Sequence, residues 1–286
     1  MVSGVGPDRE GKAPGAGDLP LHWTFWEAET EERACLLIVH GLGEHSGRYA
    51  SFAGFLRQNA FSVLAFDLRG HGRSGGRRGD VDAFPRFVED VVVMEGVMDG
   101  LTGAPSFLLG HSLGGLVALA RLEVESGPYA GVVLSAPWLA TPLPLWLRRV
   151  ARTLSWIVPG LQLPASLGPE RLTADPEIMR ELKEDPLVHT RITTRLFREA
   201  ERVQERIRTR SFLPTPPLLF LLPGEDRVVD GETTAAFAGR IRGTDITVED
   251  LPGRRHEPLN DLGRSEVYRL VSAWMLDRTD LQTGPG

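Results

Sequence analysis

One serine lies at an abrupt corner in the stretch "FLLGHSLGGL". Ser112 follows the apolar residues 106–109, which are typical of a buried strand, and a helix-type pattern begins directly after it. Gly110 and Gly114 flank the serine as G-x-S-x-G, which between a strand and a helix forms a nucleophile elbow. The helix N-terminus beneath the hydroxyl favours developing negative charge. The sequence therefore predicts a serine nucleophile.

A serine hydroxyl at neutral pH needs a general base, and the base needs a group that orients it. In this arrangement an Asp or Glu follows the serine, and a His follows later, each just past a strand. Asp226 follows an apolar run, and we prefer it to Glu225 and to Asp230, which is also suited to cap the next helix. His256 lies in the loop after the predicted strand 245–251, and no other histidine follows Asp226.

A tetrahedral intermediate needs backbone N–H groups that stabilise its oxyanion. We expect one from Leu113, the residue after the nucleophile. We expect the other from Leu42, in the glycine-containing segment 40–49 that follows the apolar run 35–39. Because the donor is the backbone, replacing the Leu42 side chain should change activity little.

Short apolar runs alternate with amphipathic segments along most of the chain, so they define the elements that position these residues. Residues 21–28 alternate like a half-exposed strand, whereas the later runs are continuously apolar, as in strands covered on both faces. The later predicted strands are 35–39, 62–66, 106–109, 131–136, 217–222 and 245–251. The predicted helices are 47–59, 83–99, 113–126, 231–241 and 264–277. This alternation predicts an α/β fold with a mostly parallel sheet and helices on both faces.

The alternation is interrupted between the predicted strands 131–136 and 217–222. We interpret residues 137–212 as an inserted helical cap, and residues 21–136 and 213–278 as the core domain. Residues 1–20 have the composition of a flexible leader, and residues 279–286 form a C-terminal tail.

The cap sequence has two parts of different character. The first carries Trp138, Trp146 and Trp156, which are three of the six tryptophans in the chain. Two interpretations stay open and are compatible: these side chains pack on the core, or they form an apolar wall over a hydrophobic ligand and transiently contact a lipid surface. The second part, residues 191–210, has the periodicity of a solvated amphipathic helix, which we prefer to a phosphate- or RNA-binding surface.

Composition excludes several classes of protein. The 286 residues carry a formal net charge of −6, which argues against a nucleic-acid-binding protein. A single cysteine, Cys35, excludes an internal disulfide, and its place in an apolar run predicts a buried thiol. No apolar stretch approaches the roughly 20 residues of a membrane span, so we expect a cytoplasmic protein, while the oligomeric state stays open.

Two further motifs have simpler explanations. The segment "GHGRSG" (70–75) matches G-x-G-x-x-G, but no helix opens within it, so a dinucleotide site is not expected. Four histidines near strand ends lack the spacing of metal ligands, and we predict loop packing and no metal site for His40, His45, His71 and His111.

Five segments together resemble the monoacylglycerol lipase and bacterial lysophospholipase group of α/β-hydrolases. They are "HGLGEHSGRY" (40–49), "FDLRGHGRSGG" (66–76), "GHSLGG" (110–115), "EDPLVH" (184–189) and "GEDRVVD" (224–230). The resemblance spans about residues 21–278. It implies an α/β-hydrolase fold without a cofactor. It also implies a catalytic triad formed by Ser112, Asp226 and His256. It implies a serine carboxylester hydrolase that cleaves single-chain fatty acyl esters through an acyl-enzyme. Alternatives are a general carboxylesterase, an acyltransferase or amidase of the same fold, or an inactive lipid-binding protein.

The resemblance extends in part to the alcohol side of the substrate. Glu44 and Arg48 match the acidic and basic members of the corner that receives glycerol in monoacylglycerol lipases, although an ion pair that fixes the loop is an equal alternative. Two other members of that corner, a cap tyrosine and a second histidine, correspond here to Leu182 and Leu259. These departures favour a lysophospholipid or a simple ester as substrate more strongly than the sequence of the loop 40–49 alone would.

Overall fold

An eight-stranded sheet lies at the centre of the computed structural model, which describes residues 5–124, 127–142, 144–165, 167–209 and 216–282. A separate two-stranded antiparallel sheet belongs to the predicted cap. The strands in chain order are β1 Arg9–Pro14, β2 Pro20–Trp26, β3 Ala34–Val39, β4 Phe61–Phe66, β5 Ser106–His111, β6 Tyr129–Ser135, β7 Gln162–Pro164, β8 Arg191–Thr193, β9 Leu218–Pro223 and β10 Ile246–Leu251.

The central sheet has the order β1-β2-β4-β3-β5-β6-β9-β10. The pairs β1–β2 and β2–β4 are antiparallel, and all pairs from β4 to β10 are parallel. Parallel pairing brings the carboxyl ends of β3, β5, β9 and β10 to one edge of the sheet, so the loops that follow them are neighbours. The predicted α/β fold with a mostly parallel sheet is therefore confirmed.

Helices cover both faces of this sheet. They are α1 Ala50–Arg57, α2 Pro85–Asp99, α3 Leu113–Val124, α4 Leu145–Ile157, α5 Pro169–Leu172, α6 Pro176–Glu184, α7 Thr194–Thr209, α8 Gly231–Ala238 and α9 Arg264–Gln282. Among the described residues, no helix is both long and apolar enough to cross a bilayer.

Strand β3 shows why the central runs are continuously apolar. Cys35, Leu37 and Val39 pack into the core cluster that includes residues of α2, α3, α7 and α8. Leu36 and Ile38 point to the opposite face and pack with residues of α1 and α9. Alternate side chains thus enter different cores, and all of them are fully buried. The Cys35 thiol is buried as predicted, and burial raises its pKa.

Two predictions at the chain termini are wrong. Part of the predicted leader, residues 1–20, forms β1, which pairs with β2 from Arg9 opposite Phe25 to Pro14 opposite Pro20. This edge strand is held by backbone hydrogen bonds and buries little besides Ala13, so its sequence lacks an apolar pattern. At the other end, α9 continues to Gln282 through part of the predicted tail, 279–286.

The segment predicted as a cap contains the helices α4 to α7 and the antiparallel pair of strands β7 and β8. These strands have three residues each, too few for an alternating pattern to stand out in a sequence. Helix α7 lies within the predicted amphipathic segment 191–210. Its apolar side chains Leu196, Val203 and Ile207 are buried in the core. Residues 210–215, which include the end of the predicted cap, lie outside the described part.

Candidate active site

Ser112 occupies a strained turn between β5 and α3. Its φ of +52° lies in the left-handed region, which side chains with a Cβ rarely adopt. A Cβ on Gly114 would lie 2.0 Å from the carbonyl oxygen of Val39, and one on Gly110 would lie 2.4 Å from that of Gly114. Both flanking positions therefore require glycine, as a nucleophile elbow does.

Asp226 and His256 form a buried pair at the same edge of the sheet. His256 Nδ1 lies 2.8 Å from Asp226 Oδ2, and the two side chains are only 3% and 2% exposed. The other oxygen of Asp226 accepts hydrogen bonds from the N–H groups of Val228 and Val229. Burial alone would raise the pKa of the Asp226 carboxyl, but His256 and these N–H groups bring it below its ordinary value. Asp226 is thus held as a carboxylate facing the imidazole.

The two alternatives to Asp226 have other partners. Asp230 caps α8, accepting a hydrogen bond from the N–H of Thr233 at 3.1 Å. Glu225 is exposed and lies 3.9 Å from the guanidinium of Arg227. The structure therefore pairs His256 with the aspartate preferred in the sequence.

Ser112 and His256 line one small pocket of about 20 Å³, together with residues of the loop after β3. The His256 ring also faces His111, with ring centroids 4.9 Å apart. Because Nδ1 of His256 faces the carboxylate, its Nε2 is the nitrogen left for chemistry in this pocket. The arrangement has the components of a serine–histidine–aspartate triad.

The peptide that carries the Leu42 N–H is fixed on its carbonyl side. Leu68 N–H donates to His40 Nε2, so the proton of this imidazole is on Nδ1, which donates to the carbonyl of Gly41 at 2.7 Å. Since the peptide unit is planar, holding the Gly41 carbonyl also fixes the direction of the Leu42 N–H. Leu113, the other predicted oxyanion donor, is the first residue of α3. His40 is buried, which lowers its pKa to about 4 and keeps it neutral in this role.

The cap holds the outer side of the same loop. The N–H of His189 donates to the carbonyl of Gly43 at 2.8 Å, and His45 Nε2 lies 2.8 Å from a carboxylate oxygen of Asp185. A Cβ on Gly43 would lie 2.0 Å from the carbonyl oxygen of His189. The loop that carries Leu42 is therefore clamped between the core and the cap.

Glu44 and Arg48 form the ion pair that was one of the two predicted alternatives. Arg48 Nη1 lies 3.1 Å from Glu44 Oε2, and both side chains are buried. Glu44 Oε1 accepts hydrogen bonds from the N–H of Gly41 at 2.5 Å and from the hydroxyl of Tyr49 at 3.0 Å. Both carboxylate oxygens of Glu44 are thus used inside the protein.

The two leucines of the predicted alcohol corner differ in position. Leu182 is buried and lines the small pocket beside Ser112. Leu259 does not line this pocket: the 3-10 helix Pro258–Asn260 turns it into the core cluster of α1 and α9. Leu259, which corresponds in sequence to a member of the alcohol corner, is therefore a core residue in this structure.

A larger cavity of about 350 Å³ lies on the other side of Ser112, between core and cap. Its wall is mostly apolar and includes Trp138, Leu163, Ile192 and Phe197. Its volume falls in the usual range for small-molecule pockets. Trp138 packs in the core cluster and also lines this cavity, so packing on the core and forming an apolar wall are compatible for this side chain.

Comparison with known proteins agrees with this geometry. Residues 30–263 match the family described as "Serine aminopeptidase, S33". The chain belongs to this family. Human monoglyceride lipase is 30% identical over 270 residues, covering 91% of this chain and 88% of that protein. Monoacylglycerol lipase of Mycolicibacterium smegmatis is 29% identical over 92% of this chain and 95% of its own length. Phospholipase YtpA of Bacillus subtilis is 27% identical over 88% and 98%.

Solved structures of similar proteins share the fold of this chain. Paleococcus ferrophilus monoacylglycerol lipase has a TM-score of 0.81 and 32% identity, covering 90% of this chain and 99% of that one. A soluble variant of Saccharomyces cerevisiae monoglyceride lipase has a TM-score of 0.86, covering 97% of both chains, with 19% identity. The α/β-hydrolase fold, the resemblance to the monoacylglycerol lipase and lysophospholipase group, and the serine ester hydrolase activity of that group are confirmed at the level of the family.

In this S33-family hydrolase, sequence reasoning missed Glu257 and the positioning role of His40. Glu257 makes two hydrogen bonds with Arg48, at 2.7 and 2.6 Å. The two residues are 209 positions apart, so no local spacing connects them. The available signal was that Glu257 is an acidic residue directly beside the predicted catalytic histidine.

Proposed function

We propose that this protein hydrolyses fatty acyl esters with a single chain, with Ser112 as nucleophile, His256 as general base and Asp226 as its orienting carboxylate. The observation that carries the proposal is the apolar cavity of about 350 Å³ that ends at Ser112, close to the Asp226–His256 pair. An acyl chain in this cavity would bring its ester carbonyl to the serine hydroxyl.

The reaction would proceed in two halves. His256 Nε2 takes the proton of Ser112 as its oxygen attacks the carbonyl, and the N–H groups of Leu42 and Leu113 stabilise the oxyanion. The imidazolium then protonates the departing alcohol, leaving an acyl-serine. A water deprotonated by His256 attacks this ester, and the second collapse releases the fatty acid and restores the serine hydroxyl. Asp226 holds the imidazole in one tautomer and stabilises its charged form throughout.

The alcohol side offers little recognition in comparison. The small pocket has about 20 Å³, room for roughly one water molecule. The polar groups of Glu44 and Arg48 that face it are engaged with each other and with neighbouring residues. We therefore propose that the acyl chain dominates selectivity, and that simple esters and lysophospholipids are accepted beside monoacylglycerols.

The outer surface of the cap supports transient contact with lipid. Trp146, Trp156 and Ile157 are 66%, 69% and 71% exposed, and burying such side chains is favourable at a lipid interface. The guanidinium of Arg198 lies 4.8 Å from the Trp156 ring centroid, so a cation accompanies the apolar surface. We propose that substrate is taken from a lipid phase across this surface. A cytoplasmic location stays a prediction.

Two measurements test the proposed function. A fluorophosphonate probe should label the wild type, and Ser112→Ala should lose both labelling and turnover of p-nitrophenyl esters while keeping the wild-type circular dichroism spectrum. Rates on monoacylglycerols should exceed those on triacylglycerols of the same chain, because we expect a cavity of about 350 Å³ to admit one acyl chain. Turnover by purified Ser112→Ala would refute the nucleophile, and equal rates on both lipids would refute a single-chain acyl site. Release of free fatty acid separates hydrolysis from acyl transfer.

A further inference from the structure

A buried ionic cluster connects the loop of the candidate base with the candidate oxyanion loop. Arg48 lies at its centre, between the carboxylates of Glu44 and Glu257, and all three side chains are almost fully buried. The contact with Glu257 is bidentate, with Nη1 2.7 Å from Oε1 and Nη2 2.6 Å from Oε2. Such parallel pairs fix the relative orientation of both groups as well as their distance.

Each end of the cluster reaches a group of the proposed mechanism. Glu257 directly follows His256, so its side chain anchors the backbone that carries the imidazole. Its own N–H donates to the carbonyl of Leu172 at 2.9 Å, which ties this backbone to the cap. At the other end, Glu44 accepts the N–H of Gly41, which directly precedes the proposed oxyanion donor Leu42. One guanidinium therefore links the two loops that the mechanism needs in register.

The charges of the cluster also bear on the reaction. Burial alone would raise the pKa of the Glu257 carboxyl, but the charge and hydrogen bonds of Arg48 bring it below its ordinary value, so Glu257 is ionised at neutral pH. The carboxylate of Glu257 therefore places a negative charge close to the imidazole of the preceding residue, His256. The charged or titratable groups around His256 are then Asp226, His111, Glu44, Arg48 and Glu257.

We propose that Glu257 is a positioning residue for ester hydrolysis: through Arg48 and Glu44 it holds the His256 loop against the oxyanion loop, and its charge favours the imidazolium formed in the reaction. The proposal rests on the hydrolase function and on the roles of His256 and Leu42 proposed above. It assigns Glu257 no contact with substrate.

Glu257→Gln tests the proposal, because it keeps the shape of the side chain while removing the charge and one of the two acceptors. We expect kcat/KM on a soluble p-nitrophenyl ester to fall about ten- to a hundredfold, mainly in kcat, as for a small misplacement of catalytic groups. The acidic limb of the kcat/KM profile should move to lower pH, because the imidazolium loses a nearby anion.

Glu95→Gln is the matched control. Glu95 is a buried glutamate that also holds an arginine with two hydrogen bonds, to Nε and Nη2 of Arg121 at 2.9 and 3.1 Å, but it lies on α2 outside the site. This variant should lose stability to a similar degree, with kcat/KM per active site and pH profile like those of the wild type. Fluorophosphonate titration gives the number of active sites in each preparation.

The outcomes separate the two proposals. If the wild type neither binds the probe nor turns over ester, the proposed function is wrong and this inference falls with it. If the wild type is active but Glu257→Gln behaves like Glu95→Gln, with an unmoved acidic limb, only the role of Glu257 is refuted. Should Glu257→Gln fail to fold, Glu257→Asp tests the proposal instead, because it keeps the negative charge but shortens the side chain that contacts Arg48. A reduced kcat with an unmoved acidic limb supports the proposal, and wild-type kinetics overturn it.

Discussion

Gly114→Ala should damage the active site through one methyl group. The added Cβ would lie 2.0 Å from the carbonyl oxygen of Val39 and 2.6 Å from that of His40, both of them backbone atoms. In protein structures a Cβ atom essentially never lies closer than 3.0 Å to a non-bonded heavy atom. The start of α3 must therefore move away from the end of β3 by roughly 1 Å. Ser112 and the Leu113 N–H would move with it.

The expected size follows from that displacement. Overpacking of this kind costs about 1–3 kcal/mol, which for a chain of this length lowers the melting temperature by roughly 2–10 °C. A displacement of about 1 Å in a catalytic group lowers kcat on the order of a hundredfold. Both effects are measured on one preparation, by thermal unfolding and by p-nitrophenyl ester turnover corrected for active sites.

Gly96→Ala is the control for the same substitution in open space. Gly96 lies inside α2, and a Cβ there meets no atom within 4 Å. Since glycine costs a helix interior about 0.5–1 kcal/mol relative to alanine, this variant should be as stable as the wild type or more so, with unchanged kcat. A Gly114→Ala protein that melts and turns over like Gly96→Ala would refute the steric account of the elbow.

Three further predictions concern the triad, the oxyanion loop and pH. Asp226→Asn should lower kcat by about 10⁴-fold with the fold retained, whereas the kcat of Glu225→Gln should stay within about twofold of wild type. Equal losses of kcat in the two variants would show that Asp226 is not the carboxylate that orients His256. Leu42→Ala should change kcat/KM by less than about fivefold, because the oxyanion donor is the backbone N–H and not the side chain. A larger loss of kcat/KM without a change in melting temperature would contradict a purely backbone role. Burial lowers the pKa of His40 and of His111 to about 4, so these groups take up protons more readily in the unfolded chain. Stability should therefore fall between pH 6.5 and 4, by up to about 1.4 kcal/mol per pH unit for each histidine. Urea unfolding at several pH values measures this slope, and stability independent of pH over that interval would show that these imidazoles are not kept neutral by the fold.

The parts of the structure that could be predicted from the sequence are those with a local physical signal. The run of β5 and the glycines around Ser112 specify an elbow, because a Cβ at either glycine would collide with backbone. Chain order and position after predicted strands then pointed to Asp226 and His256, whose side chains approach to 2.8 Å in the structure. The continuously apolar strands β3 and β9 indicated burial on both faces.

The parts that escaped prediction depend on contacts distant in sequence. Strand β1, with the sequence "REGKAP", is held at the edge of the sheet by backbone hydrogen bonds. Backbone pairing does not require apolar side chains, so it leaves no pattern in the sequence. Leu259 aligns with a functional position but lies in the core cluster of α1 and α9, and its carbonyl accepts a hydrogen bond from the hydroxyl of Tyr268 on α9. The partnership of Arg48 and Glu257 joins two loops that are distant along the chain.

The two glycines at the seam between cap and core have a consequence for protein engineering. Gly43 and Gly79 both have positive φ, and a Cβ on either would lie 2.0 Å from a carbonyl oxygen of the cap, that of His189 or that of Arg191. Their own carbonyls accept hydrogen bonds from the N–H groups of His189 and Thr193. A chimaera that takes its insertion from another hydrolase would therefore need to match main-chain atoms at these two junctions. Exchange of whole caps should succeed only when residues 185–193 are kept with the recipient scaffold.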